Sequence, residues 1–284
     1  MNLKKAILLP LAKKYIAGEK MADLVSDIKI LQKRGFKNVA NFLGEEASEN
    51  HVLTNVKEYI SLMEVLKNDK LTAGLSIKPT QVGLSISKEL ALKNFEAILE
   101  RASSSEQFIW IDMEGSAYTE STLDLYYSFQ PSFSNVGITL QAYLRRSEGD
   151  LRNILAKEGF VRVVKGAYKE PEIIAFANKT EARKNFGNML ELLFNQENFF
   201  SIGTHDERLL RLAISFSTQF NKRNFEFQFL KGVREVRALE LVNSGYNVAI
   251  YVPYGIYWIP YLARRIKEQN NTTSFILRKL LGLQ

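Results

Sequence analysis

Residues 72–112 read TAGLSIKPTQVGLSISKELALKNFEAILERASSSEQFIWID, and this stretch decides the fold. An apolar run, Thr72 to Lys78, is followed by a segment in which Leu90, Leu92, Phe95, Ile98 and Leu99 recur with helical spacing. A second apolar run, Gln107 to Asp112, closes the unit. The runs are short enough to be buried strands, and the segment between them lays one apolar stripe on a sheet. A strand, a crossover helix and a second strand make a parallel pair.

The same unit repeats in both directions. Further strands are predicted at Lys37 to Leu43, Val136 to Gln141, Phe160 to Lys165, Phe199 to Thr204, Phe225 to Leu230 and Asn247 to Val252. Another helical stripe, Met21, Leu24, Val25, Ile28 and Leu31, precedes the first of them. Eight alternating units without a Pro/Gly/Ser-rich linker predict one domain of α/β class, a (β/α)8 TIM-type barrel. No GxGxxG follows an early strand, which weighs against an open dinucleotide-binding sheet. Two helices, residues 3–17 and 20–34, form an N-terminal extension (1–35) ahead of the barrel (36–270). A C-terminal helix (271–284) follows, whose SFILRKLLGL is expected to dock on its own domain, with peripheral membrane contact as the alternative.

Composition narrows the function. The chain has 284 residues, 46% of them hydrophobic, enough for one sizeable core. No apolar stretch is long enough to span a membrane, and MNLKKAILLPLAK is a poor signal peptide, so a cytoplasmic location is expected. With no cysteine and two histidines, His51 and His205, a structural zinc is not expected. The net charge of +7 is spread among carboxylates rather than clustered, which argues against nucleic acid.

In such a barrel the chemistry belongs at the C-terminal strand ends. Those ends carry Glu45, Lys78, Asp112, Glu114, Gln141, Arg162, Lys165, Tyr168, Thr204, His205, Asp206, Gln228, Leu230 and Tyr251. Asp112 and Glu114, two apart, are expected on one face as a glycosidase's carboxylates would be, but Lys78, Arg162 and Lys165 around them suit ionised charge partners better than a general acid. Thr204 and Asp206 read equally well as helix caps. His205 lacks a nucleophile partner and reads as a hydrogen-bonding residue. The segment YVPYGIYWIPYLARRIKE, residues 251–268, turns at Pro253 to Gly255 and enters a helix that brings Tyr261, Arg264, Arg265 and Glu268 onto much of one face. Paired guanidiniums above a barrel mouth suit a small carboxylate.

From Phe42 to Glu268 the chain resembles the proline dehydrogenase family in FLGEEAS, SIKPTQ, IDMEGS, QAYLRR, RVVKGAYKEP, GTHD, FEFQFLKG and YVPYGIYWIPYLARR, in that order and at the predicted strand ends. The resemblance implies oxidation of L-proline to 1-pyrroline-5-carboxylate by hydride transfer to FAD. Electrons then pass to a quinone or another acceptor, and a separate pyrroline-5-carboxylate dehydrogenase takes the product. By the same resemblance Lys78, Asp112 and Arg162 are the catalytic group. Lys78, Tyr168, Leu230, Tyr261, Arg264 and Arg265 hold substrate, and Glu45 pairs with Arg264 to close the site. Gln141, Arg162, Val164, Lys165, Gly166, Ala167, Thr204, His205, Gln228, Tyr251 and Glu268 surround FAD. Lys78 and Asp112 are expected to pair. The chain departs from the family at Gly203, where alanine is common, and at Asp206, where asparagine is frequent. Tyr251 keeps the tyrosine that favours proline over hydroxyproline. A related flavin barrel such as methylenetetrahydrofolate reductase would not need the paired arginines.

Overall fold

A computed structural model of the chain describes residues 3–44 and 49–268. Eight parallel strands close into a barrel in sequence order: β1 (Lys37–Phe42), β2 (Gly74–Ile77), β3 (Ile109–Ile111), β4 (Val136–Gln141), β5 (Phe160–Val164), β6 (Phe200–Gly203), β7 (Phe225–Leu230) and β8 (Asn247–Tyr254). Closure runs along the β1–β8 seam, from Lys37 opposite Ala249 to Phe42 opposite Tyr254. The crossovers are α3 (Glu49–Asn68), α4 (Lys88–Ser104), α5 (Thr119–Phe129), α6 (Ser147–Leu155), α7 (Lys179–Phe194), α8 (Glu207–Gln219) and α9 (Glu235–Asn243).

The predicted repeat is therefore the observed one, with shorter strands at the mouth. β2 stops at Ile77 because Pro79 opens a 3-10 turn, Pro79–Val82, and has no N–H for a ladder. β8 instead runs past Val252 through Pro253. Beyond Tyr251 it has β1 alone as a ladder neighbour, and one unpaired edge tolerates proline. Helix starts follow local chemistry. Ser87 accepts from the Leu90 amide (3.1 Å) at the start of α4, and Asn178 accepts from the Thr180 amide (2.8 Å) at the start of α7. Each such cap contributes about 1 kcal/mol. The stripe Phe95, Ile98 and Leu99 is fully buried against the sheet, and each such side chain contributes roughly 1.5–3 kcal/mol.

The two ends of the chain exchange the usual roles. The predicted helix over 3–17 is shorter, α1 (Leu3–Ala12), and is followed by α2 (Met21–Lys33). Leu24, Ile28 and Leu31 of α2 join the main core with Phe36, Ala40, Ile250 and Val252 of the barrel seam. α2 thus covers the seam that a helix after β8 would cover. The helix that does follow β8, α10 (Trp258–Glu268), packs its Trp258, Tyr261, Leu262 and Ile266 into a separate cluster with Leu8, Ala12, Tyr15 and Ile16. Released from the barrel wall, α10 borders the mouth. The chain after α1 is tied to that region by Ala17 N donating to Pro253 O (2.8 Å) and Gly255 N donating to Gly18 O (3.0 Å).

Among the described residues no helix is long and apolar enough to cross a membrane. The segment Ser274 to Leu283, read as a docking or membrane helix, lies outside the described residues.

Candidate active site

Inside the barrel, strand alternation sends every second side chain to the axis. Near the bottom these are apolar: Val39, Trp110 and Ala249 pack with Phe108 and Phe199. Above them lies a polar centre built on Arg162 of β5. This guanidinium is 3% exposed and directs five hydrogen bonds to four side chains. Nε donates to Thr139 Oγ1 (3.0 Å), Nη1 to Gln228 Oε1 (3.1 Å), and Nη2 to Ser76 Oγ (2.8 Å), Thr139 Oγ1 (2.7 Å) and the Asp112 carboxylate. Asp112 accepts also from Ser76 Oγ (2.7 Å) and from the Tyr251 hydroxyl (3.1 Å). Trp110 and Tyr251 present rings to the cation at 5.2 and 5.8 Å from their centroids. Burial, and after it the Asp112 charge, raises the Tyr251 phenol well above its usual range, so it is a neutral donor.

Two expectations are corrected here. Asp112 pairs with Arg162 and not with Lys78. Asp112 and Glu114 do not share a face, because β3 ends at Ile111 and the alternation ends with it. Glu114 turns away to accept from Thr80 N (3.0 Å) and Thr80 Oγ1 (2.8 Å).

Lys78 faces the rim instead. With Tyr168, Tyr257, Tyr261 and Arg264 it lines a cavity of about 820 Å³ between the strand ends and α10. The two arginines of α10 are unequal. Arg264 is exposed and lines the cavity, whereas Arg265 is 9% exposed and lies over the Tyr261 ring at 5.3 Å. Adjacent helix positions are about 100° apart, so one helix cannot aim both the same way. Glu45 and the Glu268 side chain lie outside what is described.

The remaining predicted residues lie on β4 to β7 or in the loops that leave β5 and β6. Gln141 is buried and donates to Glu114 O (2.8 Å). Val164 and Gly203 are half-buried, and Lys165 and Ala167 are exposed. Gly166 has φ +104°, and an added Cβ would lie 2.0 Å from the Tyr143 ring. At Gly203 a Cβ would lie 2.9 Å from Val164 Cγ1, so this departure from alanine lets the Val164 side chain pack close against the β6 backbone. Thr204 is buried and accepts from Asp206 N (3.2 Å); Asp206 caps α8 by accepting from Arg208 N (3.0 Å) and pairs with Arg183 (2.8 Å). His205 Nε2 accepts from Leu230 N (3.0 Å). Burial, with Arg265 and Arg234 adding to it, lowers His205 to about 4, so the ring is a neutral acceptor.

These groups fit a flavin nucleotide. A half-apolar surface (Val164, Leu230) suits a flat ring, the Gln141 and Gln228 carboxamides and the buried Arg162 suit its carbonyl-rich edge, and exposed Lys165 suits a diphosphate.

Sequence reasoning missed Ser76, Thr139 and Glu226 as partners of this centre. Thr139 and Glu226 stand two residues before Gln141 and Gln228, and strand period could have found them, since residues two apart enter the same lumen.

Comparison with known proteins agrees. The proline dehydrogenase family matches residues 24–278. Proline dehydrogenase 1 of Bacillus subtilis (strain 168) is 33% identical over 95% of this chain and 90% of its own length. Proline dehydrogenase of Deinococcus radiodurans is 30% identical over 95% of this chain and 90% of its own. The fold also matches the crystal structure of proline utilization A (PutA) from Bdellovibrio bacteriovorus inactivated by N-propargylglycine. The TM-score is 0.86 at 23% identity, covering 98% of this chain and 36% of that one. Barrel, strand-end residues and relatives agree that the chain belongs to the proline dehydrogenase family, flavin-dependent oxidoreductases of proline catabolism.

Proposed function

We propose that L-proline binds in the cavity between the strand ends and α10, and that FAD lies over the β4–β7 side of the mouth. Lys78 and Arg264, with Arg265 behind Tyr261, hold the substrate carboxylate, and Tyr168, Tyr261 and Leu230 wall its ring. The observation that carries this reading is one cavity that combines Lys78 and Arg264 with Tyr168 and Tyr261, beside a barrel centre where Arg162 is fixed by Asp112.

Bound FAD supplies the hydride acceptor. The protein's part is to orient and to exclude water. Cations on the carboxylate and aromatic walls on the ring leave the C5–H of proline and the nitrogen lone pair free to form the C=N bond. The nitrogen gives up its proton, two electrons leave with the C5 hydrogen, and 1-pyrroline-5-carboxylate remains. Arg162 supplies fixed positive charge under the mouth, where negative charge develops on reduction. Electrons pass on to a quinone or another acceptor, and a separate pyrroline-5-carboxylate dehydrogenase takes the product.

The test is the absorbance spectrum of the FAD-loaded protein before and after L-proline is added without air. Bleaching of the flavin bands is expected. A flavin spectrum unmoved by L-proline would remove the substrate assignment, and failure to retain added FAD would remove the cofactor assignment.

A further inference from the structure

Glu226 is a buried carboxyl that the function proposed above does not use, yet it stands next to the polar centre. It is 6% exposed and projects into the lumen from β7, two residues before Gln228. Gln228 Nε2 donates to Glu226 Oε1 (2.9 Å), while Gln228 Oε1 accepts from Arg162 Nη1 (3.1 Å). The orientation of this carboxamide follows from chemistry. A guanidinium has donors alone and must meet the amide oxygen, and a carboxyl oxygen can receive the NH2. Ser201 Oγ, at 3.5 Å, is the other polar partner of the same Glu226 oxygen. If that acceptor were missing, Gln228 could turn its NH2 toward Arg162 and set donor against donor.

We propose that Glu226 is a positioning residue for the Asp112–Arg162 centre: it pins Gln228 with its oxygen on Arg162 and so fixes the guanidinium beneath the mouth. The inference rests on the function proposed above. It requires an acceptor oxygen at position 226 and not a negative charge. Burial, opposed by the Gln228 hydrogen bond, raises the Glu226 carboxyl above its usual range, which agrees with that requirement.

The test compares Glu226→Leu, which removes the acceptor, with Glu226→Gln, which keeps an acceptor oxygen without charge. Glu226→Ile, apolar and suited to a strand, provides the same loss should the leucine variant not fold. Two readouts are taken on FAD-loaded protein: turnover of L-proline, and the midpoint potential of the flavin measured with a chemical reductant. The leucine or isoleucine variant is expected to lower kcat about tenfold with KM little changed, and to shift the potential negative because Arg162 no longer sits fixed under the mouth. Glu226→Gln is expected to restore both. In a Gln228→Leu background, Glu226→Leu is expected to add nothing, because the two act as a unit.

Wild-type values in the leucine and isoleucine variants, a glutamine variant as impaired as the leucine one, or losses that multiply in the double variant would each overturn the proposal. The potential does not depend on L-proline, so a wild-type protein that fails to bleach with L-proline would remove the substrate assignment and leave the Glu226 comparison readable.

Discussion

The Asp112 carboxylate is paired with Arg162 across the barrel lumen, and Lys78, which leaves the neighbouring strand end, faces the rim cavity instead. Two cations that the sequence places together are thereby assigned different work. Arg162 is a fixed, paired charge inside the barrel, and Lys78 lines the rim cavity.

Asp112→Ala is therefore expected to cost stability as well as turnover. Arg162 would remain 3% exposed without its carboxylate, and stranding one member of a buried pair costs about 3 kcal/mol. Lys78→Met is expected to leave stability unchanged and to raise KM for L-proline. Urea unfolding of the two variants checks this; equal stabilities would show that the pair carries no structural load.

Gly166→Ala is expected to weaken FAD retention. The residue needs φ +104°, and an added Cβ would lie 2.0 Å from the Tyr143 ring, so either the ring or the 165–168 backbone must shift. Strain of this kind costs on the order of 1–3 kcal/mol. Titration of apoprotein with FAD, followed by fluorescence quenching, measures the loss, and an unchanged dissociation constant would contradict it.

The N-terminal arm is expected to tune substrate affinity from outside the cavity. Trp258 is fully buried at the start of α10, and its indole N–H donates to Glu19 Oε1 (2.7 Å). Glu19→Ala strands that donor at a cost of roughly 1–3 kcal/mol and frees the helix that carries Tyr261 and Arg264. A several-fold rise in KM for L-proline is expected, with Glu19→Gln close to wild type. Steady-state kinetics decides, and an unchanged KM in the alanine variant would show that α10 is held without this bond.

Stability is expected to fall with acid through His205. Its value drops from 6.5 to about 4 on folding, mainly by burial. Below pH 6.5 the unfolded chain therefore takes up a proton that the native state refuses, and stability is lost as the pH falls toward 4. From about pH 7.5 to about pH 5 this group alone accounts for about 2 kcal/mol. His205→Gln is expected to lose that much less over the same range in urea unfolding. Identical losses in the two proteins would remove the assignment.

The barrel was legible because its signals are local. Strand runs and helical stripes such as Phe95, Ile98 and Leu99 report which face is buried whatever the partner, and strand ends locate the mouth once the class is known. For the same reason Lys78, Arg162, Gln228 and Tyr251 could be named as mouth residues from sequence.

What each side chain meets across the lumen was decided by tertiary structure. Asp112 and Arg162 are fifty residues apart and join because β3 and β5 project into one lumen, where strand tilt and register select the partners. Where β3 ends set the divergence of Asp112 and Glu114, and a difference of one or two residues in a strand end lies below what periodicity can define. The placement of α10 was equally non-local. Its sequence supplied a helix with Tyr261 and two arginines, but α2 covers the β1–β8 seam, and that occupancy left α10 to pack with α1 beside the mouth.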